Sequence, residues 1–150
     1  AFFSRKVNLP SESFIGRIIK WLNEFDLLQE ENKNLKIKLL DYIFKNPDYI
    51  FNEIKVCFFE MSLDYDLLSN KLDDIPEKSI LLIINPENKI RIISKVKEIS
   101  ANQLITEIKE RYNAKGGGNA FNAQAYIKTN FEEAKSRLKE RIKEKIADSG

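Results

Sequence analysis

"KGGGNAFNAQAYIKT", residues Lys115–Thr129, gathers three of the chain's five glycines into one tripeptide. Consecutive glycines leave no Cβ in the way and admit positive φ. Successive backbone N–H groups can then turn inward as a concave nest that holds an anion. Lys115 stands at the edge of this segment, Asn119, Asn122 and Gln124 add amide groups, and Lys128 brings a second cation. Phosphate or a nucleic-acid backbone is the natural ligand for such a set. A glycine run also serves in plain turns, and the segment has neither the Gly-Lys-Ser/Thr ending of a P-loop nor GxGxxG spacing. The expectation is a glycine-rich loop at 115–119 whose amides face outward.

Working outward, "TNFEEAKSRLKERIKEKIA" after the loop reads as a helix. Thr129 and Glu132 match a capping box, and Phe131, Ala134, Leu138, Ile142 and Ile146 form the apolar stripe. Before the loop, "SANQLITEIKERY" (100–112) is a helix capped by Ser100. "SILLIIN" (79–85) is a continuous apolar run, expected of a strand covered on both faces, and "KIRIISKV" (89–96) is its hairpin partner across Asn85-Pro86-Glu87-Asn88. "EIKVCFFE" (53–60) reads as a strand and "LDYDLLSNKL" (63–72) as a helix capped by Ser62 or Asp64. The order is a long helix, then β-α-β-β-α, the glycine loop and a last helix. That is an α+β (α/β-like) chain: a helical stalk at 1–46, then a small mixed-sheet domain flanked by helices at 47–150.

The stalk begins at Asn8-Leu9-Pro10-Ser11-Glu12, where a proline suits the first helical turn. Phe14, Ile18, Trp21, Phe25, Leu28, Leu35, Leu39 and Tyr42 recur at alternating spacings of four and three, with Asn32 in the remaining slot. This heptad pattern permits a dimer seam in which Asn32 sets register, with Ile18, Trp21, Phe25, Leu28 and Leu35 as its contacts. Trp21 and Phe25 are bulky for a two-stranded seam, so packing on the chain's own domain or on a preceding part of a parent protein stays open.

The chain of 150 residues has the length of one domain, and no stretch is apolar enough to cross a membrane. Methionine occurs only at Met61, so Ala1 reads as an internal boundary of a larger protein, or else as the residue behind a removed initiator. A lone cysteine, Cys57, excludes an internal disulfide, sits in an apolar run and suits a reducing compartment. The absence of histidine excludes a Ser-His-Asp triad, a Cys-His pair and the usual histidine metal motifs. The overall charge of +2 is uneven: 11 basic and 15 acidic side chains give −4 for residues 1–88, and 14 against 8 give +6 for residues 89–150. A basic second half suits an anionic partner, and equally a solvated lysine-rich surface.

Lysine, a glycine run and then Ala-Gln-Ala at Ala123–Ala125, after a β-β-α segment and before a helix, resembles the DHH-associated domain. This module closes alanyl-tRNA synthetases and has relatives in long alanyl-tRNA editing proteins and DHH phosphoesterases. "LLQEENKNLKIKLL" (27–40) is similar to the helix that leads into it. Two features depart from the synthetase pattern: Asn119-Ala120-Phe121 replaces the usual Arg-Pro-Asp, and the glycine run is three long where synthetases often have four or more. Phosphoesterases carry a histidine after the glycines, and its absence favours the synthetase or editing branch. The resemblance implies a non-catalytic accessory domain, cytoplasmic, that binds tRNA(Ala), works beside the rest of a parent synthetase and in some lineages dimerises. It further implies Lys115, Gly116, Gly117, Gly118, Asn119, Gln124 and Lys128 as tRNA contacts, and Phe121 and Tyr126 as stacking or core residues. No catalytic residue, metal or cofactor is implied in this segment; ATP, Mg and Zn belong to the rest of the parent. The other classes left open are the substrate-binding half of a DHH phosphoesterase and a pure dimerisation module.

Overall fold

A computed structural model describes residues 11–149, with side chains from 14 to 148. The Pro10 helix entry therefore lies outside the described residues. The chain divides into two compact units within its first helix, residues 1–39 and 40–150.

In the first unit the described residues are helical. They belong to α1 (Ser11–Lys45), as the unbroken heptad spacing predicts. Ile18 and Trp21 are partly buried, while Phe25, Leu28, Asn32 and Leu35 are exposed.

The second unit is a six-stranded mixed sheet with order β1-β2-β3-β4-β6-β5. The strands are β1 (Tyr49–Phe51), β2 (Ile54–Glu60), β3 (Ser79–Asn85), β4 (Lys89–Ser94), β5 (Lys115–Gly118) and β6 (Asn122–Tyr126). The helices of this unit are the end of α1, α2 (Tyr65–Ser69), α3 (Ala101–Tyr112) and α4 (Phe131–Ser149). Among the described strands only β2 and β3 pair in parallel. A parallel pair needs a crossover, and residues 61–78 supply it with α2 and one 3₁₀ turn at Leu72–Asp74. β1 is not legible in the sequence. It joins β2 through a two-residue turn, Asn52-Glu53, with φ of 52° and 68°, and this turn carries no glycine to announce it.

Two apolar layers sandwich the sheet. Alternation sends Val56, Ile80, Leu82, Ile84, Ile90, Ile92, Ala123 and Ala125 to one face, where they meet Leu104, Ile105 and Ile108 of α3 and Ala134, Leu138, Ile142 and Ile146 of α4. Cys57, Leu81, Ile83 and Ile93 point the other way, onto Leu40 and Phe44 of α1 and Leu68 of α2. Burial pushes the Cys57 thiol up to about 11, which leaves it a core side chain and no nucleophile. Because β3 is central, its residues Ser79–Ile84 are all buried, which explains its unbroken apolar run.

Three local expectations change. The helix expected over 63–72 shortens to α2 and the 3₁₀ turn, and Asp64 precedes α2 without capping it. The capping box at Thr129 and Glu132 gives way to a later start: α4 begins at Phe131 after Asn130 at φ 59°, and Glu132 pairs with Lys135 at 2.9 Å. The glycine loop is a strand, and this last change shapes the site.

Candidate nucleic-acid interface

β5 contains the whole glycine run and forms one edge of the sheet, antiparallel to β6. Asn119 closes the hairpin: its Oδ1 accepts from the N–H groups of Phe121 and Asn122, each at 2.9 Å. Asn119 N–H donates to the Asn122 carbonyl at 2.9 Å, while Ser94 N–H donates to the Phe121 carbonyl and Ile127 N–H to the Asn88 carbonyl. Antiparallel alternation then directs the backbone groups of Asn122, Gln124 and Tyr126 toward β5, and those of Ala123 and Ala125 toward β4. On β5, Lys115 and Gly117 bond inward, whereas the N–H and C=O groups of Gly116 and Gly118 lie along the free edge. The expected nest of three converging amides is therefore replaced by two outward amides on an extended strand. Glycine is required here for contact as well as conformation. Gly116 and Gly118 hold φ of 152° and 156°. A Cβ on Gly116 would strike the Gln124 carbonyl oxygen and come within 2.7 Å of the Ala125 Cα.

Register places the side chains. One row runs Lys89, Tyr126, Lys115 across β4, β6 and β5, and the next runs Arg91, Gln124, Gly117. By alternation both rows face away from α3 and α4. Tyr126 is 38% exposed on this face. Phe121 instead packs against the Leu40–Phe44 core, the second of its two readings. The second row opens onto a cleft of about 700 Å³, to which Asp64, Tyr65, Glu87, Gly118 and Asn122 also contribute.

Arg91 is the residue that sequence reasoning missed. Its Nη1 donates to Asn122 Oδ1 at 2.7 Å, and its Nη2 to Gln124 Oε1 at 2.6 Å. Its guanidinium lies 4.8 Å from the centroid of the Tyr65 ring. Burial lowers its pKa from the ordinary value, but a guanidinium stays charged at neutral pH. Its partners are neutral amides, so its charge is held in place without being cancelled. Among the described residues no carboxylate forms an ion pair with Lys89, Arg91 or Lys115. The one available signal was the break in "KIRIIS", a charge between two buried isoleucines.

Of the expected contacts, Gly117, Gly118, Asn119 and Gln124 line the cleft, and Lys115 lies in the adjacent row. Gly116 sits on the edge strand. Lys128 is exposed past the end of β6 and does not line the cleft. Among the described residues no group of three or more acidic, cysteine or histidine side chains could hold a metal ion, and no helix is long and apolar enough to cross a membrane.

This chain is similar to several known proteins. Residues 63–148 match the DHHA1 domain family. The chain is 30% identical, over 91% of its length, to an alanine–tRNA ligase of Wigglesworthia glossinidia brevipalpis, and spans 17% of that ligase. The C-Ala domain of Aquifex aeolicus alanyl-tRNA synthetase superposes with a TM-score of 0.47 and 22% identity, covering 62% of this chain and 94% of that domain. A DHH-domain protein from a family of ribosomal proteins superposes with a TM-score of 0.45 and 15% identity, covering 83% of this chain and 32% of the other.

Proposed function

The chain belongs to the DHHA1 domain family, and from that membership we propose that it is an accessory module of an alanine–tRNA ligase that holds tRNA on the open face of its sheet. The observation that carries the reading is the pair of adjacent rows in which Lys89, Arg91 and Lys115 keep their charge beside a strand with no side chains on its glycines. A polyanion can approach such a strand closely, its phosphate oxygens meeting the outward amides of Gly116 and Gly118 and the lysines acting as point charges. The identity to an alanine–tRNA ligase supports tRNA(Ala) as the ligand and the rest of a parent ligase as the neighbour. Recognition here would be by backbone and shape. The segment has no catalytic role in this reading, and ATP, Mg and Zn would be held by other parts of the parent.

A gel-shift titration of the chain with tRNA tests it. Binding should weaken steeply with salt, because each phosphate contact releases counterions. Changing Lys115 and Lys128 together to Glu should weaken it further. Affinity unchanged by that double substitution would remove the β5 edge from the account. Preference for a free dinucleotide over tRNA would favour the phosphoesterase-half reading.

Self-association through α1 is a second reading, supported by the exposure of Phe25 (56%) and Leu28 (62%) at heptad positions. Sedimentation equilibrium over a wide concentration range tests it: a monomer throughout sinks the dimer.

A further inference from the structure

We propose that the cleft beside Arg91 takes one unstacked guanine base from the bound RNA. The inference rests on the RNA docking proposed above and adds to it a base-specific contact.

Donors and acceptors lining the cleft select its occupant. Asn122 Oδ1 and Gln124 Oε1 both accept from Arg91. A carboxamide whose oxygen is engaged in this way keeps two free N–H donors against one remaining lone pair. Arg91 has further N–H groups beyond the two in use. The side chains on the sheet wall of the cleft therefore present more donors than acceptors. Asp64 and Glu87, from the segment before α2 and the β3–β4 turn, also line the cleft, and ionised carboxylates only accept. Asp64 makes no side-chain hydrogen bond to the start of α2, so its oxygens are not consumed as a cap.

A phosphate would satisfy the donors but meet two like charges. The occupant must carry acceptors on one edge and donors on another. Guanine does so: O6 and N7 accept, and arginine pairs with them more often than with any other base edge. Its N1–H and N2 amino group donate and match carboxylates. Adenine and cytosine instead place an amino donor where guanine has O6, against a donor-rich wall, and uracil has O4 there with no second acceptor beside it for the arginine fork. Tyr65 is 53% exposed, and its ring together with the guanidinium over it gives the base a surface to stack on. The cleft volume of about 700 Å³ exceeds what one base needs.

Fluorescence anisotropy of the 150-residue chain with labelled uridine oligonucleotides tests the cleft, each carrying one central guanine, inosine, adenine or cytosine. Guanine should bind about 10-fold tighter than adenine, within the range of one good bidentate pair. Inosine, which lacks the N2 amino group, should fall between them. Arg91→Lys keeps the charge but loses the fork, and should erase the preference. Asp64→Asn should narrow it. Equal affinity for the four oligonucleotides overturns the inference, as does displacement of the guanine oligonucleotide by millimolar inorganic phosphate. If tRNA binds and weakens with Lys115 and Lys128 changed to Glu while no base preference appears, the cleft reading fails and RNA docking stands. If neither tRNA nor any oligonucleotide binds, both fail.

Discussion

Strands β4, β6 and β5 carry two unlike surfaces, back to back. Toward α3 and α4 they present Ile90, Ile92, Ala123 and Ala125, all buried. On the opposite face they present Lys89, Arg91, Gln124, Tyr126 and Lys115, of which Lys89, Arg91 and Gln124 line the cleft. The two arginines nearest this contrast differ in the same way. On the helix-covered side, Arg141 of α4 is clamped by Glu107 at 2.8 and 3.2 Å and by Glu144 at 2.9 Å. On the open side, Arg91 instead spreads Nη1 and Nη2 over two neutral amides. Carboxylate partners cancel a charge while fixing it; amide partners fix it and leave it available. One face is therefore built for cohesion and the other for an anionic or acceptor-rich visitor, and each face can be perturbed separately.

The largest expected effect lies on the cohesive face. Ile92 is fully buried between the strands and α3, and Ile92→Ala should cost about 2–5 kcal/mol in denaturant unfolding through lost burial and a residual cavity. RNA affinity of the folded fraction should not change. A loss of affinity at constant stability would break the division between faces.

Next comes the edge. Gly116→Ala forces a Cβ into the β6 backbone at a φ that other residues rarely adopt, and should destabilise by about 1–3 kcal/mol. Gly117→Ala meets nothing within 4 Å and should be close to neutral. Equal costs at the two positions would mean that β5 is not packed as described.

A smaller effect separates the arginines by pH. The hydrogen bond from Arg141 holds the Glu107 carboxyl below its ordinary value. A depressed carboxylate stabilises the fold above its unfolded-state pKa, and that contribution is lost as pH falls through the native value. The pair is partly exposed, so the contribution should be at most about 1 kcal/mol. Arg141→Gln should remove this acid limb from urea-unfolding profiles, while Arg91→Gln should leave it intact.

The smallest stability effect belongs to the open face. Lys89→Gln and Lys115→Gln should each leave stability within about 0.5 kcal/mol. Each should reduce the slope of tRNA affinity against log salt by about one. An unchanged slope for both would remove the Lys89–Tyr126–Lys115 row from the tRNA contact.

Much of this architecture is readable from pattern. The helical spacing from Phe14 onward marks α1, the apolar run at 79–85 marks β3, and Asn85-Pro86 marks the turn, where Asn85 Oδ1 accepts from Glu87 N–H at 2.9 Å. Ser100 caps α3 as its type predicts, its side chain accepting from Gln103 N–H. The stripe at Ala134, Leu138, Ile142 and Ile146 is the buried side of α4. All these signals are local, because they depend on side chains repeating with the period of their own backbone.

Glycine breaks that dependence. A Lys-Gly-Gly-Gly segment has no apolar alternation, so nothing local distinguishes an edge strand from a nest, and pairing with β6 alone decides it. The meeting of Arg91 with Asn122 and Gln124 is equally invisible beforehand, since those partners lie 31 and 33 residues away and become neighbours only through the β4–β6 register. The amino-acid order by itself determined which segments are helical or strongly β, where the core stripes lie and that a glycine run sits among cations. Tertiary pairing decided that the run is an edge, which amides it leaves free and which arginine keeps its charge, because register joins residues that local periodicity cannot connect.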